Sequence, residues 1–465
     1  MHKNKYIKEK LILYFLKLVI TLTYSGLMYS FWMNLYNPFI PTPFFRDGNY
    51  LMAFLFAAMY MLFVKVYGGF LVGTSPVTDL IFSQILATMF VLGSSYLVFS
   101  LLSYRLLEIM PFVVMLVLLC CISSLWCFII DFAYFKMHKP KRTIVVFNNV
   151  ASYHSLKGIR SMDKRFSVVR TINSEKTSLK DLYEAIKSVD AVFLCGVPSE
   201  YRNEVIKHCI GCGKLAYVKP KISDTILSGA RVIQLMNIPV YRCKRNDTSL
   251  IYQTIKRSAD IICSSIGIIV TAPIMLLVAL AIKLYDKGPV FYKQTRLTLN
   301  AKEFDIIKFR TMRTDAEKFG PQLSTKDDPR ITPIGKYLRM LRLDELPQLF
   351  NIFSGAMTIV GPRPERPSIA AKYERETPEF ALRLQAKAGL TGYAQVYGKY
   401  NTPPYDKLQM DLMYIGAQSL TEDLKLILMT IKIIFLPSST EGFDNKENKE
   451  TNEVNQSNED KTNNK

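Results

Sequence analysis

The chain has 465 residues, a formal net charge of +20 and a hydrophobic fraction of 49%. This length is enough for several domains, and the hydrophobic fraction is high for a purely soluble protein. The basic surplus suits anionic lipid or phosphorylated substrates. No basic stretch is interleaved with aromatic residues as in a nucleic-acid-binding motif, so we expect no nucleic-acid partner.

Apolar stretches long enough to span a bilayer are the main feature of the first 140 residues. They cover residues 11–32, 51–70, 80–102 and 110–130. Basic residues precede the first stretch and follow the fourth, which places both flanks in the cytoplasm by the positive-inside rule. The sequence therefore predicts a bundle of four transmembrane helices in residues 1–140.

A fifth apolar run, "IICSSIGIIVTAPIMLLVALAI", covers residues 261–282, and both of its flanks are basic. Pro273 lies near its centre, where it lacks an N–H and clashes with the carbonyl four residues earlier. Two interpretations stay open on these residues alone. One is a re-entrant helix that breaks at Ala272-Pro273 and returns to the same membrane face, and the other is a kinked span.

Short β-rich runs alternate with helical stretches between residues 143 and 248. This alternation predicts a small cytoplasmic α/β domain, Rossmann-like, over residues 141–250. Its first turn, "FNNVASYHSLKG", lacks the G-x-G-x-x-G pattern that lets a backbone approach a pyrophosphate. We therefore expect no dinucleotide cofactor and favour a regulatory or assembly role.

The last segments are a mixed α/β domain over residues 251–440 and a tail over residues 441–465. The stretch "DLKLILMTIKIIF" at 423–435 alternates charged and apolar residues on a helical period. Either an interfacial helix or a core-packing helix accounts for it. The tail has almost no apolar residues and is predicted to be disordered.

Two adjacent carboxylates, Asp344 and Glu345, stand in "RLDELPQLFN" at 342–351. Alone, such a pair before a proline favours helix capping. Basic side chains, which suit phosphate oxygens, gather in three nearby segments. They are Lys308, Arg310 and Arg313; Arg330, Lys336, Arg339 and Arg342; and Arg363 and Arg366. The dyad is thus a candidate phosphate-handling site.

Three motifs carry a family resemblance: "GPVFYKQTRLTLNAKEFDIIKFRTMR", "DPRITPIGKYLRMLRLDELPQLFNIFSGAMTIVGPRPE" and "AGLTGYAQV". They resemble the bacterial sugar transferase family, the membrane-bound polyprenyl-phosphate sugar-1-phosphate transferases also called monotopic phosphoglycosyl transferases. The likeness is continuous from about residue 254 to 436. This chain differs in having Ala272 where the family has serine, and Ala388 where proline is frequent.

The resemblance implies that Asp344 attacks the β-phosphorus of a UDP-sugar, expels UMP, and passes the sugar phosphate to undecaprenyl phosphate. It implies that Glu345 and Asp344 hold Mg²⁺ and that Arg339 and Arg363 steady the phosphates. Lys308, Arg310 and Arg330 are further phosphate-binding candidates. The product would initiate exopolysaccharide, capsule or O-antigen synthesis.

The implied architecture is a membrane α/β protein. A four-helix transmembrane bundle is followed by the small α/β domain, a re-entrant helix and a catalytic domain with interfacial helices. Because UDP-sugars are made in the cytoplasm, the catalytic domain must face it from the bacterial inner membrane. A non-catalytic membrane scaffold and a membrane-tethered NAD-dependent enzyme are the alternatives, and homo-oligomerisation stays open.

Overall fold

The computed structural model describes residues 2–148, 164–245, 248–314, 316, 328–398 and 402–434. The chain forms two compact units, Met1–Pro220 and Lys221–Lys465. The boundary between them falls inside the predicted domain 141–250. The helix expected after the first strand of that domain, and the tail predicted to be disordered, lie outside the described residues.

Several long apolar helices begin the first unit, as predicted. They are α1 (His2–Leu35), α2 (Arg46–Tyr67), α3 (Val77–Leu102) and α4 (Met110–Met137). All four are long and apolar enough to cross a membrane. Neighbours in chain order pack together, and α1 also contacts α4. Some polar groups between these helices pair with one another; Tyr60, for example, donates a 2.7 Å hydrogen bond to Gln84.

The α/β region of the first unit contains a four-stranded parallel sheet in the order β2-β1-β3-β4. Its elements are β1 (Lys141–Phe147), β2 (Phe166–Asn173), α5 (Leu179–Lys187), β3 (Ala191–Cys195), α6 (Ser199–Gly211) and β4 (Leu215–Val218). Apolar side chains of strands and helices, such as Val146, Leu182 and Val192, are fully buried between them. The predicted parallel α/β arrangement is confirmed for these residues.

The second unit alternates helices with short strand pairs. Before the dyad lie α7 (Ile222–Ser228), β5 (Arg231–Leu235), β6 (Ile238–Arg242), α8 (Leu250–Asp286), β7 (Phe291–Leu297), β8 (Glu303–Phe309) and α9 (Pro333–Met340). After it lie α10 (Gln348–Ser354), β9 (Thr358–Val360), α11 (Pro367–Glu376), β10 (Gly389–Thr391), α12 (Tyr393–Val396), α13 (Pro404–Gly416) and α14 (Leu420–Ile434). Strands β5–β6 and β7–β8 form antiparallel hairpins, and β9 pairs in parallel with β10.

Helix α8 contains the fifth apolar run and continues through Pro273 without interruption. The expected break at Ala272-Pro273 is therefore absent. A proline removes one N–H donor and crowds one carbonyl, and such a local defect can be absorbed within a helix. The isoleucine, leucine, valine and alanine residues around it extend the helix on both sides.

Both halves of α8 pack on the same α/β fold. Near its start, the Asp260 carboxylate accepts hydrogen bonds from Thr358 Oγ1 (2.7 Å) and from Ile359 N (3.0 Å), on β9. Near its end, Val278 and Ile282 are buried in a cluster that includes β8 and α9. The opposite face is apolar and exposed: Ile262, Ile266, Ile269, Val270, Leu276, Leu277, Leu280 and Leu284.

Helix α14 covers most of the stretch 423–435, for which the sequence left an interfacial helix and a core-packing helix as alternatives. Leu426 is fully buried in a cluster with Val360 and Tyr414, whereas Leu424 is 59% exposed. One face of the helix therefore packs into the core of the unit, as the core-packing interpretation predicts.

The double hydrogen bond to Asp260 yields a stability prediction. Asp260→Ala leaves two buried donors unsatisfied, at about 1–3 kcal/mol each, so we expect a lower melting temperature for the purified protein in detergent. Asp260→Asn keeps one acceptor and should lose less. Ser258→Ala, at an exposed position two residues earlier on the same helix, is the control. Equal melting temperatures for Asp260→Ala and this control would contradict the anchoring role of Asp260.

Candidate active site

The carboxylate dyad lies in a single 3₁₀ turn, Leu343–Glu345, between α9 and α10. The residue before the turn, Arg342, has a φ of 54°. This left-handed conformation costs a non-glycine residue roughly 1–2 kcal/mol. Helix α10 has Pro347 as its N-cap residue, without a side-chain capping bond. Within the described residues, neither carboxylate accepts a hydrogen bond from the backbone of α10, so the capping interpretation is wrong.

Glu345 is the centre of an ion cluster. Its Oε1 accepts hydrogen bonds from Lys308 Nζ (3.0 Å) and from Arg363 Nη2 (2.9 Å). Burial alone would raise the pKa of Glu345, but the charges and hydrogen bonds of these two cations outweigh burial and hold that pKa well below its usual range. Glu345 is therefore a permanent anion of the site.

Asp344 differs from its neighbour in environment. Burial and the adjacent Glu345 charge raise the pKa of Asp344, and the charges of Lys308, Arg339 and Arg363 oppose this rise. Among the described residues, the Asp344 carboxylate has no hydrogen-bond partner. Adjacent acids whose pKa values are pushed in opposite directions suit different chemical roles. Asp344 is the open, more basic carboxylate, and Glu345 is the fixed one.

Two contacts set the distance between the dyad and β8, which carries Lys308. The Asn351 amide on α10 accepts a hydrogen bond from Ile307 N (2.9 Å) and donates one to Asp305 O (2.8 Å). The helix after the dyad is therefore bound to the strand of the cationic side chain. Sequence reasoning missed Asn351, because nothing in the local pattern marks its role.

Arg339 approaches the dyad from α9. Its Nε donates a 2.9 Å hydrogen bond to Thr311 Oγ1. Helix α9 can come this close only because Gly335 lacks a side chain: a Cβ there would lie 2.1 Å from Thr311 O. The structure therefore brings together Lys308, Arg339 and Arg363 around the dyad.

Arg310 and Arg330 do not join this cluster. Strand β8 ends at Phe309, so the alternation that aims Lys308 at the dyad no longer applies to Arg310. Arg310 instead pairs with Asp286 and donates to Pro289 O. Arg330 makes a two-point pair with Asp328.

The donor set fits a divalent cation that arrives with phosphate. Both cations bind Oε1 of Glu345, which leaves its Oε2 and the Asp344 carboxylate as hard oxygen donors. Mg²⁺ commonly takes one or two carboxylates and completes its shell with water and substrate phosphates. The described part of the chain contains no group of three or more His, Cys, Asp or Glu that could hold a metal alone.

Comparison with known proteins identifies the class to which this arrangement belongs. Residues 251–437 match the bacterial sugar transferase family. The exopolysaccharide production protein PSS of Rhizobium leguminosarum bv. phaseoli is 41% identical over 188 residues, which are 38% of this chain and 93% of that protein. The chain belongs to the bacterial sugar transferase family.

Two longer relatives carry more specific names. The UDP-N-acetylgalactosamine-undecaprenyl-phosphate N-acetylgalactosaminephosphotransferase of Aeromonas hydrophila is 39% identical over 189 residues, 40% of this chain and 45% of that protein. The UDP-glucose:undecaprenyl-phosphate glucose-1-phosphate transferase of Klebsiella pneumoniae is 33% identical over 263 residues, 56% of this chain and 55% of that protein. The chain spans about half the length of these two relatives.

The lowered pKa of Glu345 yields a pH prediction. As the pH falls, Glu345 of the unfolded chain takes up a proton near its ordinary pKa of 4.5. In the folded chain, Glu345 takes up this proton only at a lower pH. The ionised Glu345 therefore stabilises the fold above that pH, and this stabilisation is lost as the pH falls, by up to about 1.4 kcal/mol per pH unit. We expect wild type to melt above Glu345→Gln at pH 7 and the difference to shrink below pH ~4.5.

Glu303→Gln, at an exposed position on β8, is the control for this comparison and should show no such pH dependence. A wild-type advantage over Glu345→Gln that stays constant down to acid pH would show that the ion cluster does not set the pKa of Glu345.

Proposed function

We propose that this protein transfers a sugar-1-phosphate from a UDP-sugar to undecaprenyl phosphate, releases UMP, and so initiates synthesis of an exopolysaccharide, capsule or O antigen. The observation that carries the proposal is the open carboxylate of Asp344 beside the cation-bound Glu345. The names of the Aeromonas and Klebsiella relatives support this reaction class. Those names specify different sugars, so they do not select a donor sugar for this chain.

In the first step, an Asp344 carboxylate oxygen attacks the β-phosphorus of the UDP-sugar. A P–O bond forms, the bond to the α-phosphate oxygen breaks, and UMP leaves with the electron pair. A carboxylate is ionised at neutral pH, so it needs no base to activate it. This agrees with the positions of the four histidines, all of which precede residue 210.

In the second step, a phosphate oxygen of undecaprenyl phosphate attacks the same phosphorus and displaces Asp344. Lys308, Arg339 and Arg363 reduce the repulsion between the anionic nucleophiles and the diphosphate and stabilise charge in each transition state. When bound by Asp344 and Glu345, Mg²⁺ would neutralise further charge on the phosphate oxygens.

A non-catalytic scaffold is the second candidate function, and the geometry disfavours it. A scaffold has no need for a half-buried carboxylate that accepts no hydrogen bond from any described residue and lies next to three cations. An open carboxylate at this position is explained if Asp344 reacts with the phosphorus of the substrate.

Removal of the nucleophile separates these two functions. We expect Asp344→Asn to lower UMP release from a panel of UDP-sugars by roughly 10⁴-fold or more, with membrane insertion intact and Glu303→Gln unaffected. Wild type incubated without acceptor should gain the mass of a sugar phosphate on Asp344. Wild-type turnover by the asparagine variant would reject the proposed nucleophile.

We further propose that α1–α4 span the membrane and that α8 enters it without crossing, so that the catalytic unit faces the cytoplasm. Three observations support this topology for α8. Its start and its end both contact the same α/β fold, its outer face is apolar, and basic residues flank both ends. A helix that crossed the bilayer would separate its ends by the ~30 Å hydrocarbon core.

Cysteine labelling tests the topology in a cysteine-free background. Thr254→Cys and Lys283→Cys, exposed near opposite ends of α8, should react with a charged maleimide in inverted membrane vesicles and not in spheroplasts. Thr42→Cys, in the α1–α2 loop, should show the reverse. Labelling of Lys283→Cys in spheroplasts would mean that α8 crosses.

A further inference from the structure

The segment 362–365, which carries Arg363 to the dyad, is held through its backbone carbonyls. Pro362 and Pro364 have no N–H, so carbonyl oxygens are the main hydrogen-bonding groups of this backbone. All four carbonyls accept hydrogen bonds, with donors from three other parts of the unit. The carbonyls of residues 362, 363, 364 and 365 accept, in that order, from Gly389 N (2.8 Å), Arg383 Nη2 (2.7 Å), Arg296 Nη1 (3.0 Å) and Leu297 N (3.0 Å).

Two of these donors are guanidinium groups, of which one is buried and the other is partly buried. The side chain of Arg383 is 5% exposed and that of Arg296 is 18% exposed. Burial of a cation is costly unless anions pair with it. Here Asp411 lies 2.8 Å from Arg383, and Glu365 lies 3.8 Å from Arg383 and 3.7 Å from Arg296. The unit therefore maintains a charged network directly behind the active-site segment.

The hydrogen bond from Arg383 ends on the carbonyl of the residue whose side chain binds Glu345. We propose that Arg383, assisted by Arg296, is a positioning residue that fixes the backbone of Arg363, so that the Arg363 guanidinium reaches Glu345 beside Asp344. Arg383 acts through Arg363 and does not contact the dyad. Its effect on catalysis rests on the proposed function, whereas its coupling to Glu345 does not.

A double-mutant cycle on stability tests the coupling without any assay of activity. Nη2 of Arg383 contacts both the Arg363 carbonyl and Asp411. Arg383→Lys replaces this planar, rigid group with a freely rotating ammonium on a flexible and shorter stem, which does not fix the same two directions. We expect Arg383→Lys and Glu345→Gln each to lower the melting temperature. The double variant should lose less than the sum of the two, because the first change has already loosened Arg363 from Glu345.

Two further variants make the cycle decisive. Arg375→Lys, at an exposed position on α11, should add to Glu345→Gln without coupling. If Arg383→Lys does not fold, Arg296→Lys replaces it and carries the same expectation, since Arg296 holds the next carbonyl. Additive losses for the position-383 or position-296 variant with Glu345→Gln would overturn the inference.

A kinetic cycle then measures the catalytic consequence. Arg383→Lys should lower kcat for UMP release by about 10- to 100-fold in the wild-type background, and should cause no further loss in an Arg363→Ala background. An equal loss in both backgrounds would show that Arg383 does not act through Arg363. A wild-type protein that releases no UMP would instead reject the proposed function, and the stability cycle would still decide the positioning role.

Discussion

The site depends on one shared oxygen: Oε1 of Glu345 accepts hydrogen bonds both from Lys308 on β8 and from Arg363 in the segment 362–365. Two adjacent carboxylates in a half-buried turn repel each other, and neither would ionise readily without cations nearby. Because Lys308 and Arg363 both bind Glu345, the charge of that residue is compensated. The neighbouring Asp344 keeps its oxygens open and its pKa above the usual range. An open carboxylate and a fixed anion thus arise from chemically similar side chains.

The backbone around the dyad accepts strain to reach this geometry. Arg342 adopts a positive φ without the freedom of glycine, and Gly335 allows α9 to touch the backbone at Thr311. Such unfavourable conformations persist when the surrounding contacts determine them, and they concentrate at functional sites. Asn351 supplies one such contact, because its amide hydrogen-bonds to Asp305 O and to Ile307 N, the backbone groups of β8 on either side of Ile306. The strain at the turn is therefore balanced by hydrogen bonds from elements outside it. 

What the sequence predicted, and what it did not, follows from how far apart the interacting residues lie. Apolar runs and strand alternation are local patterns, so α1–α4 and the parallel sheet could be predicted from them. The dyad itself was recognisable from its motif and from the family resemblance. The partners of Asn351, Asp260 and Arg383 lie 46, 98 and 20 residues away, and no local pattern announces them. Arg330 is the opposite case, because its partner Asp328 is two residues away in the sequence. A local ion pair could therefore have been predicted as the alternative to phosphate binding by Arg330.

Helix α8 shows why hydropathy alone does not determine membrane topology. A crossing helix and a helix that remains on one face both need a long apolar stretch, and α8 satisfies that requirement. The polar residues at its two ends carry the additional information. Asp260 binds β9 and Asp286 pairs with Arg310, just after β8, and both strands belong to one fold with charged side chains. If α8 crossed the bilayer, that fold would have to follow it through the hydrocarbon, at a high cost for every unpaired charge. The contacts of the helix ends therefore favour a helix whose two polar ends stay at one membrane face, with only its apolar side in lipid.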